Sequence, residues 1–418
     1  MEAPKEAHFG VFAANLTVSA LGWFLLAIGV LVNSQSLGIH FYNGPAIALV
    51  HTFTLLTITP AILGVLFQLL PVVVEGRLSS RRLAWFVSIL WWIGAAGFVA
   101  SRWFFPEGII GFIPVLLLSI VLLLVLVLQT VQSGHWNAQA WEVLVALGWL
   151  VMMSVSGMVM AGGVVSPLEF VTWHAWTGIL GWFALMIVAL TTRLLPMFLL
   201  SHGGSHRWAH FSATLLAVSP IIHLLHWFGP FATGSLYSDL PFMLCCGLAG
   251  LAFLIYLQQC VRKRMRRSLE TPIILFLLAF LFPVIAWALA AAMQTLSLLD
   301  LSGFKLEGHR IASILVVLML PGFVGTATVG MGAKIVPFMS WMAMQARLGP
   351  GNTILPRDLG HPALSRAQLF IYPAAVLLLA CGCIWPILFP LAGAFFFISA
   401  TLNAVQMGRG FLAIRRTR

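Results

Sequence analysis

Twelve apolar runs dominate this chain, and each is long enough to cross a bilayer. A hydrocarbon core about 30 Å thick needs roughly 20 apolar residues per helix. Runs at 9–33, 44–74, 83–104, 109–132, 140–163, 168–200, 210–233, 239–261, 271–299, 308–341, 367–388 and 390–412 meet that length. The reading is an all-α polytopic membrane protein, with residues 1–418 forming a single integral-membrane domain. Charged residues make up only 8% of the chain, against about 25% in a soluble domain. That excludes a soluble enzyme, a secreted disulfide scaffold and a disordered chain. The five cysteines, with Cys245 next to Cys246 and Cys381 two from Cys383, lie in apolar runs and give no zinc spacing. Met1 to His8 is polar and has no cleavable signal pattern, so the first run is expected to stay as a helix. The longest connector is expected from about Ala343 to Ala367, around Gly349-Pro350-Gly351-Asn352.

The formal net charge of +11 could suggest nucleic acid, but its placement answers to the membrane. One set of loops and ends receives Lys5, Arg77, Arg81, Arg82, Arg207, Arg262, Lys263, Arg264, Arg266, Arg267, Arg347, Arg357, Arg366, Arg409, Arg415, Arg416 and Arg418, which is 17 of the 22 basic residues. The opposite loops receive Arg102, Lys305 and Arg310. Basic residues stay on the cytoplasmic side, so both termini are expected there, and no nucleic-acid partner is implied. The first side is called inner below and the second outer.

The second, sixth and tenth helices are longer than a simple span. Each ends in a related tetrapeptide: Gln68-Leu69-Leu70-Pro71, Arg193-Leu194-Leu195-Pro196 and Lys334-Ile335-Val336-Pro337. Each also has a histidine near its start, His51, His174 and His309, which precede the prolines by 20, 22 and 28 residues. This period implies three pseudo-repeats of four helices, about 1–132, 140–261 and 271–412. Arg193 and Lys334 lie near the inner ends and are expected to snorkel to the interface.

Histidines supply the candidate chemistry. His51, His174, His309 and the pair His223 and His226 of the seventh helix come from four helices yet share the outer half of the membrane. A histidine in lipid is rare and is normally paired or functional, and imidazole suits iron and copper. The spacing of His223 and His226 puts both rings on one helix face. A hydrogen-bonded histidine between helices is the plain alternative for each taken singly. His202, His206 and His210 read as a solvated inner loop, with His8, His135 and His361 also near that face, and His40 lies in the first outer loop. Met152, Met153, Met158 and Met160 read as packing. Gly178, Gly181, Gly322, Gly325, Gly330 and Gly332 read as close helix approach, with clearance for a flat macrocycle as the alternative.

Twelve helices in three pseudo-repeats, His51 about 20 residues before Pro71, His174, and the seventh-helix pair together resemble the haem-copper oxidase superfamily. The run from His51-Thr52-Phe53-Thr54 to Gly64-Val65-Leu66-Phe67-Gln68-Leu69-Leu70-Pro71 resembles the second helix of its nitric oxide reductase branch. The chain also resembles the NnrS family, although that family's His-x-His-Glu signature is absent. The resemblance implies a membrane haem protein of respiratory electron transfer or of nitric oxide or oxygen metabolism. It implies one or two b-type haems and a histidine-ligated copper or non-haem iron. By position, His51 would ligate haem and His309 would oppose it, while His174, His223 and His226 would hold the metal. Arg310 and Arg102 are the outer guanidiniums suited to haem propionates. Membrane lipid, a periplasmic electron donor or other respiratory subunits would be its partners, in a bacterial inner membrane. Three departures stand out. Leu315-Val316-Val317 occupies the family's tenth-helix histidine positions, the seventh-helix pair is His-x-x-His, and Gly178 replaces the Tyr or Glu four residues after the sixth-helix histidine.

All eleven carboxylates lie at helix ends or in loops, which argues against proton pumping and leaves outer water chains through Glu169, Asp300 or Glu307. Two other classes compete. One is a non-catalytic respiratory-complex subunit or metallocentre assembly factor. The other is a secondary transporter, for which Glu75-Gly76-Arg77-Leu78-Ser79-Ser80-Arg81-Arg82 resembles the acidic, Gly and Arg loop of the major facilitator family.

Overall fold

A computed structural model describes residues 9–37, 42–201, 204–228, 240–298, 308–349 and 353–415. His8, His40, His202, Asp300 and Glu307 lie outside the described residues, as do the side chains of Glu169 and His226. Among the described residues, twelve helices are long and apolar enough to cross a membrane. They are α1 (Phe9–Val32), α2 (Gly44–Val73), α3 (Arg81–Phe104), α4 (Pro106–Gln132), α5 (Ala138–Ala161), α6 (Phe170–Leu199), α7 (His206–Leu225), α8 (Leu240–Arg262), α9 (Thr271–Leu296), α10 (Gly308–Leu348), α11 (Pro362–Gly382) and α12 (Pro386–Ile414). The protein is an all-α integral membrane protein. The even number of spans returns the chain to its starting face, and Phe9 meets Phe411 edge to face there, 5.7 Å between ring centroids.

Burial sorts the helices. In α2, α6 and α10, 72, 89 and 78% of the apolar window is buried, against 28–44% in the other nine. The three long helices therefore form the centre, and the rest form a wall whose outer faces carry lipid-suited side chains such as Leu25, Phe86, Ile110 and Leu251. Neighbours in the chain pack side by side, as α3 on α4, α7 on α8 and α11 on α12, while α1 closes the ring against α12.

Each central helix contains a π-helical segment: Thr52–Ile58 in α2, Thr177–Ala184 in α6 and Leu318–Gly325 in α10. The terminal proline follows the first residue of each segment by the same 19 positions, from Thr52 to Pro71, Thr177 to Pro196 and Leu318 to Pro337. Wide turns replace i→i−4 hydrogen bonds by i→i−5 bonds, as in Thr59 N–H to Thr54 O and Leu185 N–H to Leu180 O. In α2 the next donor is Pro60, which has no N–H, and the Trp91 indole of α3 donates to the stranded Leu55 carbonyl at 2.8 Å. The corresponding carbonyl in α10 is that of Pro321, and the Tyr372 hydroxyl of α11 donates to it at 2.8 Å. A side chain at Gly325 would collide with that same hydroxyl. Gly181 likewise gives way to the Trp149 ring, 2.7 Å from where its Cβ would stand.

Several helix ends differ from the apolar boundaries. α7 begins at His206, four residues before the apolar run, because polar residues continue a helix once it leaves lipid. α10 continues to Leu348, so the expected long connector shrinks to the stretch between Leu348 and Pro362, with a short helix at Pro356–Leu359. α11 starts at Pro362, with His361 as its cap accepting from Leu364 N–H, and ends at Gly382 instead of near 388.

Candidate functional site

The outer ends of α2 and α6 bring two histidines together. Asn43 starts α2 by accepting the Ala46 N–H at 2.7 Å, and His51 follows two turns later, at the edge of the π-helical segment. Its Nδ1 bonds to the Ile47 carbonyl at 2.8 Å. In α6, the Trp173 indole donates to the Pro220 carbonyl of α7 at 2.9 Å. That bond fixes the rotation of the helix, so the neighbouring His174 turns away from α7 toward α5. His174 Nδ1 lies 3.0 Å from both the Met153 carbonyl and the Ser156 hydroxyl. Gly157 makes room for it, because a Cβ there would stand 3.1 Å from the imidazole Cε1. The His51 and His174 ring centroids are 6.4 Å apart, and Phe98 of α3 packs against His51 at 4.9 Å.

These bonds fix the tautomers. A carbonyl can only accept, so His51 Nδ1 carries its proton. The Ser156 hydroxyl gives its own proton to Met153 O at 2.7 Å, so His174 Nδ1 is the donor as well. Both Nε2 atoms are left as lone-pair donors, and neither makes a hydrogen bond among the described residues. Metal-binding histidines are held this way, with the far nitrogen anchored to a carbonyl. Two imidazoles from different helices, each anchored at Nδ1, are donors of the kind that iron or copper takes.

Arg102 stands in the last turn of α3, the helix that carries Phe98. Its Nε is buried with no hydrogen-bond partner among the described residues. Arg310 is differently placed, since it donates to the Ile384 carbonyl between α11 and α12 at 3.1 Å. His309 stands at the start of α10, and no ring contact joins it to His51 among the described residues. His223 is buried in α7 and packs on Phe242 of α8, 4.7 Å between centroids. Phe242 also meets Trp176 of α6. The side of α6 toward α7 and α8 thus carries Trp173 and Trp176, while His174 faces α2 and α5. Among the described residues no three of His, Cys, Asp and Glu gather as a metal-binding group. The space between α2 and α10 is taken by Phe53, Trp23 and Tyr372, which meet edge to face at 5.6 and 5.4 Å. Gly322, Gly325 and Gly330 back onto Phe282, Tyr372 and Phe276, while Gly308 and Gly332 of α10 face open space.

The inner ends hold polar groups that the sequence reading left in loops or lipid. His210 lies one turn into α7, not in a solvated loop, and its Nδ1 meets Glu142 of α5 at 2.6 Å. His206 stacks on His210 at 6.0 Å. Lys334 does not snorkel freely; it pairs with Glu270 at 2.5 Å, and Arg266 binds the other oxygen of that carboxylate. Arg193 is half-exposed and reaches Glu75 at 3.9 Å. The signal for the Glu142–His210 pair was present, since each residue stands four positions into a helix that starts on the inner side. No known protein family matches this chain, and no curated protein is detectably similar to it.

Proposed function

We propose that this protein is a membrane cofactor protein in which His51 and His174 ligate one metal centre on the outer side, with haem iron the first candidate. The observation that carries the reading is the pair itself: two imidazoles on different central helices, each anchored at Nδ1, with both Nε2 atoms uncommitted and 6.4 Å between ring centroids. Arg102, in the last turn of α3, is the guanidinium that would suit a haem carboxylate. Phe98 and the glycine at 157 shape an apolar, snug surround for the rings. A bound b-type haem would supply a one-electron iron couple for respiratory electron transfer or for chemistry on a diatomic gas. The residues' own part is to present two imidazole ligands and hold their tautomers.

This reading pairs His51 with His174, whereas the family resemblance pairs it with His309. It is tested on the full chain purified in detergent, by reduced-minus-oxidised visible spectra and metal analysis of one sample. Sharp α and β bands, with stoichiometric iron, are expected. His51→Ala and His174→Ala should each remove them, while His309→Ala should leave them in place. A colourless, metal-free protein, or full cofactor content in both single variants, overturns the proposal.

A further inference from the structure

Arg262 closes α8, and Lys263, Arg264, Arg266 and Arg267 follow it, with only Met265 between them uncharged. Ser268, Leu269 and Glu270 then lead into α9. Like charges so close repel one another, and a run of this kind is ordinarily a loose, solvated segment. Here it is folded into a tight turn. A backbone bridge ties Arg264 to Ser201, just past the end of α6, and the Arg264 guanidinium donates to the Val261 carbonyl at 2.8 Å. Arg266 binds Glu270. Nearby, Ser205 N–H donates to the Gln259 side chain of α8 at 2.7 Å, which seats Arg207, in the first turn of α7, on the same inner corner.

The run thus divides. Arg264 and Arg266 turn inward and hold the turn together, while Arg262, Lys263 and Arg267 are exposed, as is Arg207. None of these four exposed cations pairs with a carboxylate among the described residues. Glu270, the acid of the turn, is already shared by Arg266 and Lys334. The preference for basic inner loops accounts for the side of the membrane; it does not require that the charges be gathered and left without acids. Met265 adds an apolar element, since it stands 69% exposed in the middle of the run. In water that side chain gains nothing. At the end of a membrane-spanning helix it can enter the acyl region while its charged neighbours stay among the headgroups.

We propose that the turn from Arg262 to Arg267, together with Arg207, binds the phosphate headgroups of anionic phospholipid at the inner face. Guanidiniums suit phosphate because their paired N–H groups match its oxygens. Basic clusters directly beyond a membrane span attract anionic lipid, and the exposed Met265 favours a lipid over a free anion. This inference stands independently of the His51–His174 reading.

The test uses the full chain purified in detergent and titrated with dioleoylphosphatidylglycerol or dioleoylphosphatidylcholine, with bound lipid counted by native mass spectrometry. The anionic lipid should bind more tightly. The triple variant Arg262→Gln/Lys263→Gln/Arg267→Gln should weaken it by roughly fivefold for each charge removed. Arg77→Gln/Arg81→Gln/Arg82→Gln takes the same charge from the connector between α2 and α3, and it should leave the affinity unchanged. Equal losses in the two triple variants would reduce the effect to net charge and overturn the proposal. Equal affinity for the two lipids would do the same. Displacement of the lipid by millimolar inorganic phosphate would make this a free-phosphate site, and tighter binding of a single-stranded oligonucleotide would give the turn to nucleic acid; either result also overturns it. The three substituted side chains are exposed, so the fold should hold. Should it not, Arg267→Gln alone decides, with an expected loss of about fivefold.

Discussion

The two ends of the central helices settle their polar groups in opposite ways. On the inner side, charge answers charge across helices: Lys334 and Arg266 share Glu270, Arg193 reaches Glu75 and Glu142 meets His210. On the outer side, His51 and His174 are tied to main-chain carbonyls, and a ring nitrogen of each is left over. An ion pair consumes the chemistry of its members and returns position. A histidine held by a carbonyl keeps its second nitrogen available. The inner end therefore reads as fastening and the outer end as a place for chemistry, although both are built from ionisable residues in the membrane.

That contrast can be broken most decisively at the outer end. His51→Ala or His174→Ala should abolish bound cofactor while the protein still elutes as a folded, monodisperse species; size-exclusion profiles taken with visible spectra give both readings. At the inner end the same kind of change should cost stability instead. Glu270→Gln leaves Lys334 with its charge and no carboxylate, only the Phe198 ring, in a mostly buried setting. The expected loss approaches 3 kcal/mol, read as a fall in thermal midpoint, and Lys334→Met in the same chain should recover much of it. If the double variant is as unstable as the single, the pair is not what Glu270 contributes.

How much of this was legible in the sequence divides along the same line. Depth was legible. Apolar length sets where a helix enters and leaves the bilayer, so His51 and His174, now 6.4 Å apart, could be placed at one height from residue counting alone. Rotation about the helix axis was not. His174 faces α5 because Trp173 is tied to Pro220 and Gly157 leaves room for the ring, both contacts between helices that only the fold sets side by side. The π-helical segments compound the problem, since a run of i→i−5 bonds shifts the register on which any face is counted. Pro60 and Pro321 are the visible traces of that shift, but a proline in a membrane helix also has plainer explanations. Lys334 illustrates the opposite error. A long cation near a helix end reads as snorkelling, and only the fold brings the Glu270 cap of α9 beside it.

The smaller effects sharpen the comparison at the centre and the rim. Trp91→Phe removes the donor to Leu55 O and leaves a buried carbonyl unpaired, at a cost of about 1–3 kcal/mol. Tyr372→Phe should do the same for Pro321 O. Amide exchange of the two π-helical segments, measured for each variant, should speed up only in the helix whose carbonyl was released. Glu75→Gln should change stability by no more than about 0.5 kcal/mol, since both it and Arg193 are more than half exposed. A larger loss there would place Arg193 among the fastenings and erase its distinction from Lys334.

The wide turns in α2, α6 and α10 also bear on how such a chain tolerates insertion and deletion. An extra residue in a helix rotates everything beyond it by roughly 100°, and a π-helical turn is where a helix can hold that residue without breaking. The stretches 52–58, 177–184 and 318–325 thus act as phase adjusters between the two halves of each helix. Removing one residue from 52–58 would restore an ordinary helix and swing His51 away from His174, while Gln68 and Pro71 kept their seats. The outer half of this protein is in that sense separately adjustable, and its ligands can be re-aimed without rebuilding the inner half.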